Sequence, residues 1–223
     1  MKKTGFSLAE VLITMAVVGF IAAITLPSLQ LNVEKQKVGP ALMKAVNTLE
    51  VANSVAIQVA EVSALNEIAT SLGGDENDYL GTILKDYTKL VEVEYDPVNS
   101  PIEGTAYATK DGIVLISGDK QTGGTADVKT SGEYYVVNVD INGAKAPNKY
   151  GKDIFTLYVD TRGLVIPYGS KLGEGYLAEW PLWTNECKTV TKDSKVVPTN
   201  TEACTGSVVD NGGRVLYFFD GIV

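Results

Sequence analysis

Histidine is absent from all 223 residues. That gap removes the commonest general base and the commonest zinc ligand, so Ser-His-Asp and Cys-His catalysis are closed to this chain. Cysteine is scarce: Cys187 and Cys204 are the only two, near the C-terminus and outside any Cys-x-x-Cys spacing. In an exported domain such a pair reads as a disulfide, contributing ~3 kcal/mol if chain entropy dominates, with two buried thiols as the alternative. Positive charge is also short, since 19 Lys and Arg face 27 Asp and Glu for a net charge of -8, and no basic patch stands out. Nucleic acid is therefore not expected as the main partner, because that binding rests on neutralising phosphates with Lys and Arg.

What the chain does have is a long apolar run near its start. From Val11 to Val33 there is no charged side chain, and a helix rising ~1.5 Å per residue needs roughly 20 such residues to cross a bilayer core. The run is too long for a secretory signal core, and no Ala-x-Ala site follows it promptly. Lys2 and Lys3 should stay cytoplasmic, which places everything after about Leu31 across the membrane. One acid, Glu10, stands inside the apolar block, five residues after the small residue Gly5. A carboxylate inside a membrane helix costs on the order of 2.5–3.5 kcal/mol and usually has a partner. Either Glu10 snorkels to the interface, or it meets a cation on another chain. Cleavage after Gly5 would create such a cation, an amine at Phe6 one helical turn from Glu10.

The stretch Gly5-Phe6-Ser7-Leu8-Ala9-Glu10, followed by Val11-Leu12-Ile13-Thr14-Met15-Ala16-Val17-Val18-Gly19-Phe20 and on to Pro27, resembles the N-terminus of type IV pilins and of type II secretion pseudopilins. The resemblance covers about the first 30 residues. It implies that a prepilin peptidase cuts between Gly5 and Phe6 and methylates the new Phe6 amine. It further implies that Glu10 pairs with the Phe6 amine of a neighbouring subunit during assembly, and that Gly19 and Pro27 are places where the helix can locally unwind. Glycine has poor helix propensity, and proline removes a backbone donor. The implied partners are copies of the chain or related pilins, the prepilin peptidase, and an inner-membrane assembly platform with its ATPase.

Beyond the membrane, Val38, Ala41, Leu42, Ala45, Val46, Leu49, Ala52, Val55, Ala56, Val59, Val62, Leu65, Ala69 and Leu72 keep helical spacing. The expectation is an amphipathic continuation over 34–74, kinked or restarted at Gly39-Pro40 and stopped by Gly73-Gly74. A further short helix is expected within Tyr79–Thr88. The period then changes to two over Leu90–Tyr95, Thr105–Thr109, Ile113–Ser117, Tyr134–Val139, Ile154–Asp160, Leu164–Ile166 and Arg214–Phe219, with glycine turns between. The fold class expected is α+β, a long N-terminal helix on an antiparallel sheet, pilin-like. The divisions are a leader 1–5, a membrane or filament-core helix 6–33, an amphipathic helix 34–74 and a β-rich extracytoplasmic domain 75–223.

Three constellations bear on chemistry. Gly118–Thr125 has the outline of a phosphate loop, but Gly124 stands where the lysine belongs, so a flexible surface loop is expected. Asp140, Asn142 and Asp153 place side-chain oxygens around a glycine turn, an arrangement that suits calcium, although Gly151 stands where the closing glutamate of a 12-residue calcium loop belongs. Some pseudopilins hold calcium in their C-terminal domain, so the resemblance leaves calcium open without requiring it. Glu92 and Glu94 point one way on a strand, and solvated surface charges account for them better than an acid–base pair. No enzyme activity is expected. The segment from Trp180 to Cys204 is polar, and by position it corresponds to the disulfide-closed surface region of pilins.

The reading is a filament subunit, anchored in the inner membrane with its C-terminal domain outside the cytoplasm before it joins a periplasmic or extracellular filament. The contrasting reading is a membrane-tethered binding or adhesive domain acting as a monomer. Secretion pseudopilus, pilus and DNA-uptake filament all remain open.

Overall fold

The computed structural model describes residues 7–75, 77–95, 102, 104–122, 133–146, 148–170 and 204–210. Helix α1 (Leu8–Ala60) and helix α2 (Leu65–Leu72) precede a π-helical turn at Tyr79–Leu84 and a 3-10 turn at Lys85–Tyr87. Six strands follow: β1 (Val91–Val93), β2 (Thr105–Ala108), β3 (Val114–Thr122), β4 (Glu133–Asp140), β5 (Ile154–Asp160) and β6 (Val165–Pro167). A short helix α3 (Cys204–Asp210) completes the described elements. All neighbouring strands pair antiparallel in the order β1-β2-β3-β4-β5-β6, a meander. The class is therefore α+β, with an apolar N-terminal helical segment and a six-stranded antiparallel sheet. The chain divides into two compact units, Met1–Lys37 and Val38–Val223.

Within the second unit the core follows from two periodicities meeting. Leu42, Ala45, Val46, Leu49, Ala52 and Ala56 recur at helical spacing on one face of α1 and are all buried. The facing side chains come from alternate strand positions, which the register stacks into rows: Leu115 with Val139 and Phe155, Val137 with Leu157, Tyr135 with Val159 and Val165. These residues form one continuous cluster with α1, α2 and the Tyr79–Leu84 turn. Fully burying a Leu or Phe side chain contributes ~1.5–3 kcal/mol, so the cluster outweighs modest local faults in the helix. The opposite face of the sheet is also covered, since Ala106, Val114, Ile116 and Ile154 make a second cluster with Ile102.

Several expectations change here. Helix α1 runs on through Gly39 and Pro40 instead of restarting, with Val38, Leu42 and Leu49 anchoring it on either side of the missing N–H. It does not reach Gly73-Gly74 in one piece. It ends at Ala60, where Glu61 takes a left-handed φ of 53° and the Val62 N–H donates back to the Ile57 carbonyl. The Leu65 N–H then donates to the Thr161 carbonyl at 2.7 Å, so the β5–β6 turn fixes where α2 starts. Gly73, in the left-handed conformation, stops α2 as its sequence indicates.

Strand β3 reaches Thr122, well beyond Ser117, so Gly118–Thr122 is strand and not a flexible loop. A register shift between Ser117 and Lys120 absorbs Gly118, and Lys120 forms an ion pair with Glu133 at 3.2 Å across the ladder. Gly123–Thr125 and the strand expected at Arg214–Phe219 lie outside the described residues.

Candidate functional site

The first candidate is the start of α1. Ser7 precedes the helix, and its N–H and hydroxyl both donate to Glu10 Oε2, at 2.8 and 2.9 Å, while the Glu10 N–H donates to Ser7 Oγ at 3.3 Å. This is a capping box, in which a serine and a glutamate three residues on satisfy each other's backbone donors. The Ser7-Leu8-Ala9-Glu10 spacing carries that signal, a partner additional to the interface and the neighbouring-chain cation expected from the sequence. Within a single copy, Glu10 already has its own helix start as partner. Gly5 and Phe6 lie outside the described residues.

Behind the cap, Leu8–Leu26 is the one helical segment among the described residues long and apolar enough to cross a membrane, by length and composition, and none of it is buried. Phe20, Val18 and Leu12 are 60–70% exposed. An apolar surface of this extent needs a cover of lipid or protein. The hydroxyls within it are already satisfied, since Thr14 donates to the Val11 carbonyl and Thr25 to the Ile21 carbonyl. Gly19 has open space around it, and both Gly19 and Pro27 lie inside the helical span.

The second candidate is the β4–β5 connection. It does gather Asp140, Asn142 and Asp153, the first and last buried. Asp140 Oδ1 accepts the Asn142 N–H at 3.0 Å, and Asp140 Oδ2 accepts the Tyr95 hydroxyl at 2.6 Å. Asp153 accepts the Asn142 side-chain amide and the Asn148 N–H on Oδ2, and the Lys149 N–H on Oδ1. Burial pushes the Asp140 carboxyl up to about 6, with nearby Asp153 adding to the rise and the hydrogen bonds from Tyr95, Asn142 and Gly143 opposing it. Every carboxylate oxygen of the pair thus faces an N–H or O–H donor. These donors close the loop around the two carboxylates. Among the described residues, Asn142 Oδ1 is buried without a hydrogen-bond partner, and no three His, Cys, Asp or Glu side chains are grouped to hold a metal.

Glu92 lies on the exposed edge strand β1 and Glu94 just past it, both facing solvent. Cys204 is buried at the start of α3, which packs on β5 and β6, and the Thr156 N–H of β5 donates to Thr205 Oγ1 at 3.1 Å. Cys187 lies outside the described residues.

One further group joins three elements of the second unit. Asn53 sits in the apolar stripe of α1, fully buried, where Oδ1 accepts the Tyr79 hydroxyl at 2.5 Å and Nδ2 donates to the Gly163 carbonyl at 2.9 Å. Gly163, at φ 87°, turns the chain between β5 and β6 so closely over Asn53 that a Cβ would lie 2.9 Å from the Asn53 Cβ. Nothing in the spacing of the stripe marks this residue except that it is polar.

Residues 1–26 match the family model described as the prokaryotic N-terminal methylation motif, the prepilin-type motif of type IV pilins and pseudopilins. Comparison with curated proteins and with solved structures returned no match. Motif and apolar helix together point to membrane anchoring.

Proposed function

We propose that this chain, bearing a prepilin-type N-terminus, is a structural subunit of a type IV pilus-like or type II secretion pseudopilus filament. A prepilin peptidase removes residues 1–5 and methylates the Phe6 amine. The mature subunit waits in the inner membrane with residues 34–223 outside the cytoplasm. An assembly platform and its ATPase then move it into a filament of the same or related subunits. No bond is made or broken by the subunit itself.

The observation that carries this reading is the coincidence of the motif at residues 1–26 with a 19-residue apolar helical segment, unburied throughout. In the bilayer, lipid covers that surface and the Ser7 cap satisfies Glu10. In the filament, neighbouring helices replace lipid, and Glu10 exchanges its Ser7 cap for the Phe6 amine of an adjacent subunit. A charge pair in apolar surroundings is strong and short-ranged, so it sets axial register. Gly19 and Pro27 ease local unwinding as the helices pack. A bridge between Cys187 and Cys204 secures the C-terminal segment; its support is that Cys204 is buried and no described cysteine is a free thiol.

Replacing Glu10 by alanine tests the pairing. Membrane insertion and processing should stay near wild-type levels while filament yield falls at least tenfold. Wild-type yield from Glu10→Ala would count against the role of this acid.

A further inference from the structure

The globular unit is electrically divided. Between Lys44 and Lys85 the sequence has no Lys or Arg, and it carries Glu50, Glu61, Glu67, Asp75, Glu76 and Asp78. Of these, Glu61, Glu67 and Asp75 are exposed around the corner between α1 and α2 and the end of α2. The same corner leaves Val59 65% and Leu72 56% exposed. It is an acidic surface with apolar side chains in it.

Some 17 residues earlier, or ~25 Å along an α-helix, lies its chemical opposite. A groove of about 590 Å³ runs along α1 from Pro40 to Val55, walled by Tyr87, Thr88 and Lys89. Its apolar side includes Met43, Val51 and Val55, with Val51 64% exposed. A hollow of about 160 Å³ shares Lys44, Thr48, Thr88 and Lys89 with the groove and adds Lys110 and Asp111. Asp111 is within 2.5 Å of Lys44 and neutralises it. Lys89 and Lys110 have no carboxylate partner among the described residues, while the exposed neighbours Lys85 and Asp86 offset each other. In a chain of net charge -8, these two lysines beside an apolar trough make a surface among the described residues where an acidic, partly apolar partner is welcome.

We infer that the occupant is a second copy of this chain: the α1–α2 corner of one subunit, with Val59 and Glu61 leading, docks into the Lys89 and Lys110 groove of the next. The inference rests on the filament reading and adds to it the contact between globular units. The two surfaces are different patches on one molecule, so the contact is head to tail. Such a contact propagates along a filament and does not close into a two-fold dimer. Being partly exposed and ionic, it weakens with salt.

The test uses the full-length chain in cells that assemble it, with filaments sheared off and quantified against membrane-held subunit. Lys89→Glu with Lys110→Glu should lower filament yield at least fivefold at unchanged subunit level, and Glu61→Lys with Glu67→Lys should do the same. Combining the two sets should restore yield to within about twofold of wild type. Glu67 also accepts the Ser63 N–H and so helps start α2; the single pair Lys89→Glu and Glu61→Lys therefore repeats the test without touching that cap. Wild-type yield from either reversal, or a combination no better than its parts, overturns the contact. Loss confined to the lysine variants overturns it too, and assigns the groove to a different anionic partner. Glu10→Ala run alongside separates the two claims: if it abolishes filaments while the charge reversals do not, the contact falls and the filament reading stands. If the wild-type chain makes no filament, both fall.

Discussion

Truncating Asn53 to alanine removes both ends of a buried bridge between α1, the Tyr79–Leu84 turn and the β5–β6 turn. The Tyr79 hydroxyl is fully buried, and burial holds its ionisation far above the usual range, so it remains a donor in need of an acceptor. The Gly163 carbonyl likewise loses its side-chain donor. Stranding the buried Tyr79 hydroxyl costs about 1–3 kcal/mol and the half-buried Gly163 carbonyl adds about 1 kcal/mol, so Asn53→Ala should destabilise by about 2–4 kcal/mol. For a unit near this size 1 kcal/mol is about 2–4 °C, which puts the expected fall in Tm at roughly 5–15 °C. Tyr79→Phe keeps the ring stacked on Tyr135, 4.9 Å between centroids, and strands only the Asn53 oxygen. It should cost about 1–2 kcal/mol. The assay is thermal and urea unfolding of the full chain in detergent, followed by tyrosine and tryptophan fluorescence, for both single variants and the double. Because the two side chains share one hydrogen bond, the double variant should be less damaged than the sum by about 1 kcal/mol. Strict additivity, or an Asn53→Ala shift below about 2 °C, would refute the bridge.

Two predictions concern the β4–β5 connection. The Asp140 carboxyl is raised from 3.8 to about 6 in the folded chain, chiefly by burial, so folding favours its protonated form. Its contribution to stability is present at low pH and is lost as pH rises from about 4 through 6. Unfolding midpoints measured across that window should show this decline, and Asp140→Asn should flatten it; an unchanged slope in the variant contradicts the assignment. Calcium in millimolar excess, or its removal by chelator, should move the Tm of the full chain by less than about 1 °C, because protein donors already occupy the Asp140 and Asp153 oxygens. A saturable rise lost in Asp153→Asn would show that these side chains rearrange around a cation.

The parts of the fold legible in the sequence are those fixed by local period. The stripe from Val38 to Ala56 and the alternation in Tyr134–Val139 and Ile154–Asp160 each point one face to the main core, and the structure buries those faces, though in β4 and β5 it covers most of the other face as well. Features set by contacts distant in sequence were not legible. The break at Glu61 has neither glycine nor proline to announce it; a hydrogen bond from Leu65 to Thr161, nearly 100 residues on, holds it. Gly118 looks like loop because the bulge that accommodates it depends on where β4 pairs.

The candidate sites divide the same way. Asp140, Asn142 and Asp153 are brought together as their spacing around a glycine turn implies, but whether carboxylates face a cation or N–H groups depends on backbone donors that spacing does not reveal. The Ser7–Glu10 cap needed only a four-residue window and could have been read directly. Asn53 could not, since a buried amide in a helix stripe is interpretable only once Tyr79 and Gly163 are seen to meet it.

Mass analysis of the intact chain and its N-terminal peptide, recovered from membranes of cells that make a prepilin peptidase, tests the central claim most directly. The account predicts a chain beginning at N-methylated Phe6, with residues 1–5 gone and two hydrogens fewer than the reduced form for one Cys187–Cys204 bridge. A chain that keeps residues 1–5 under those conditions, or one cut beyond Pro27, would contradict it.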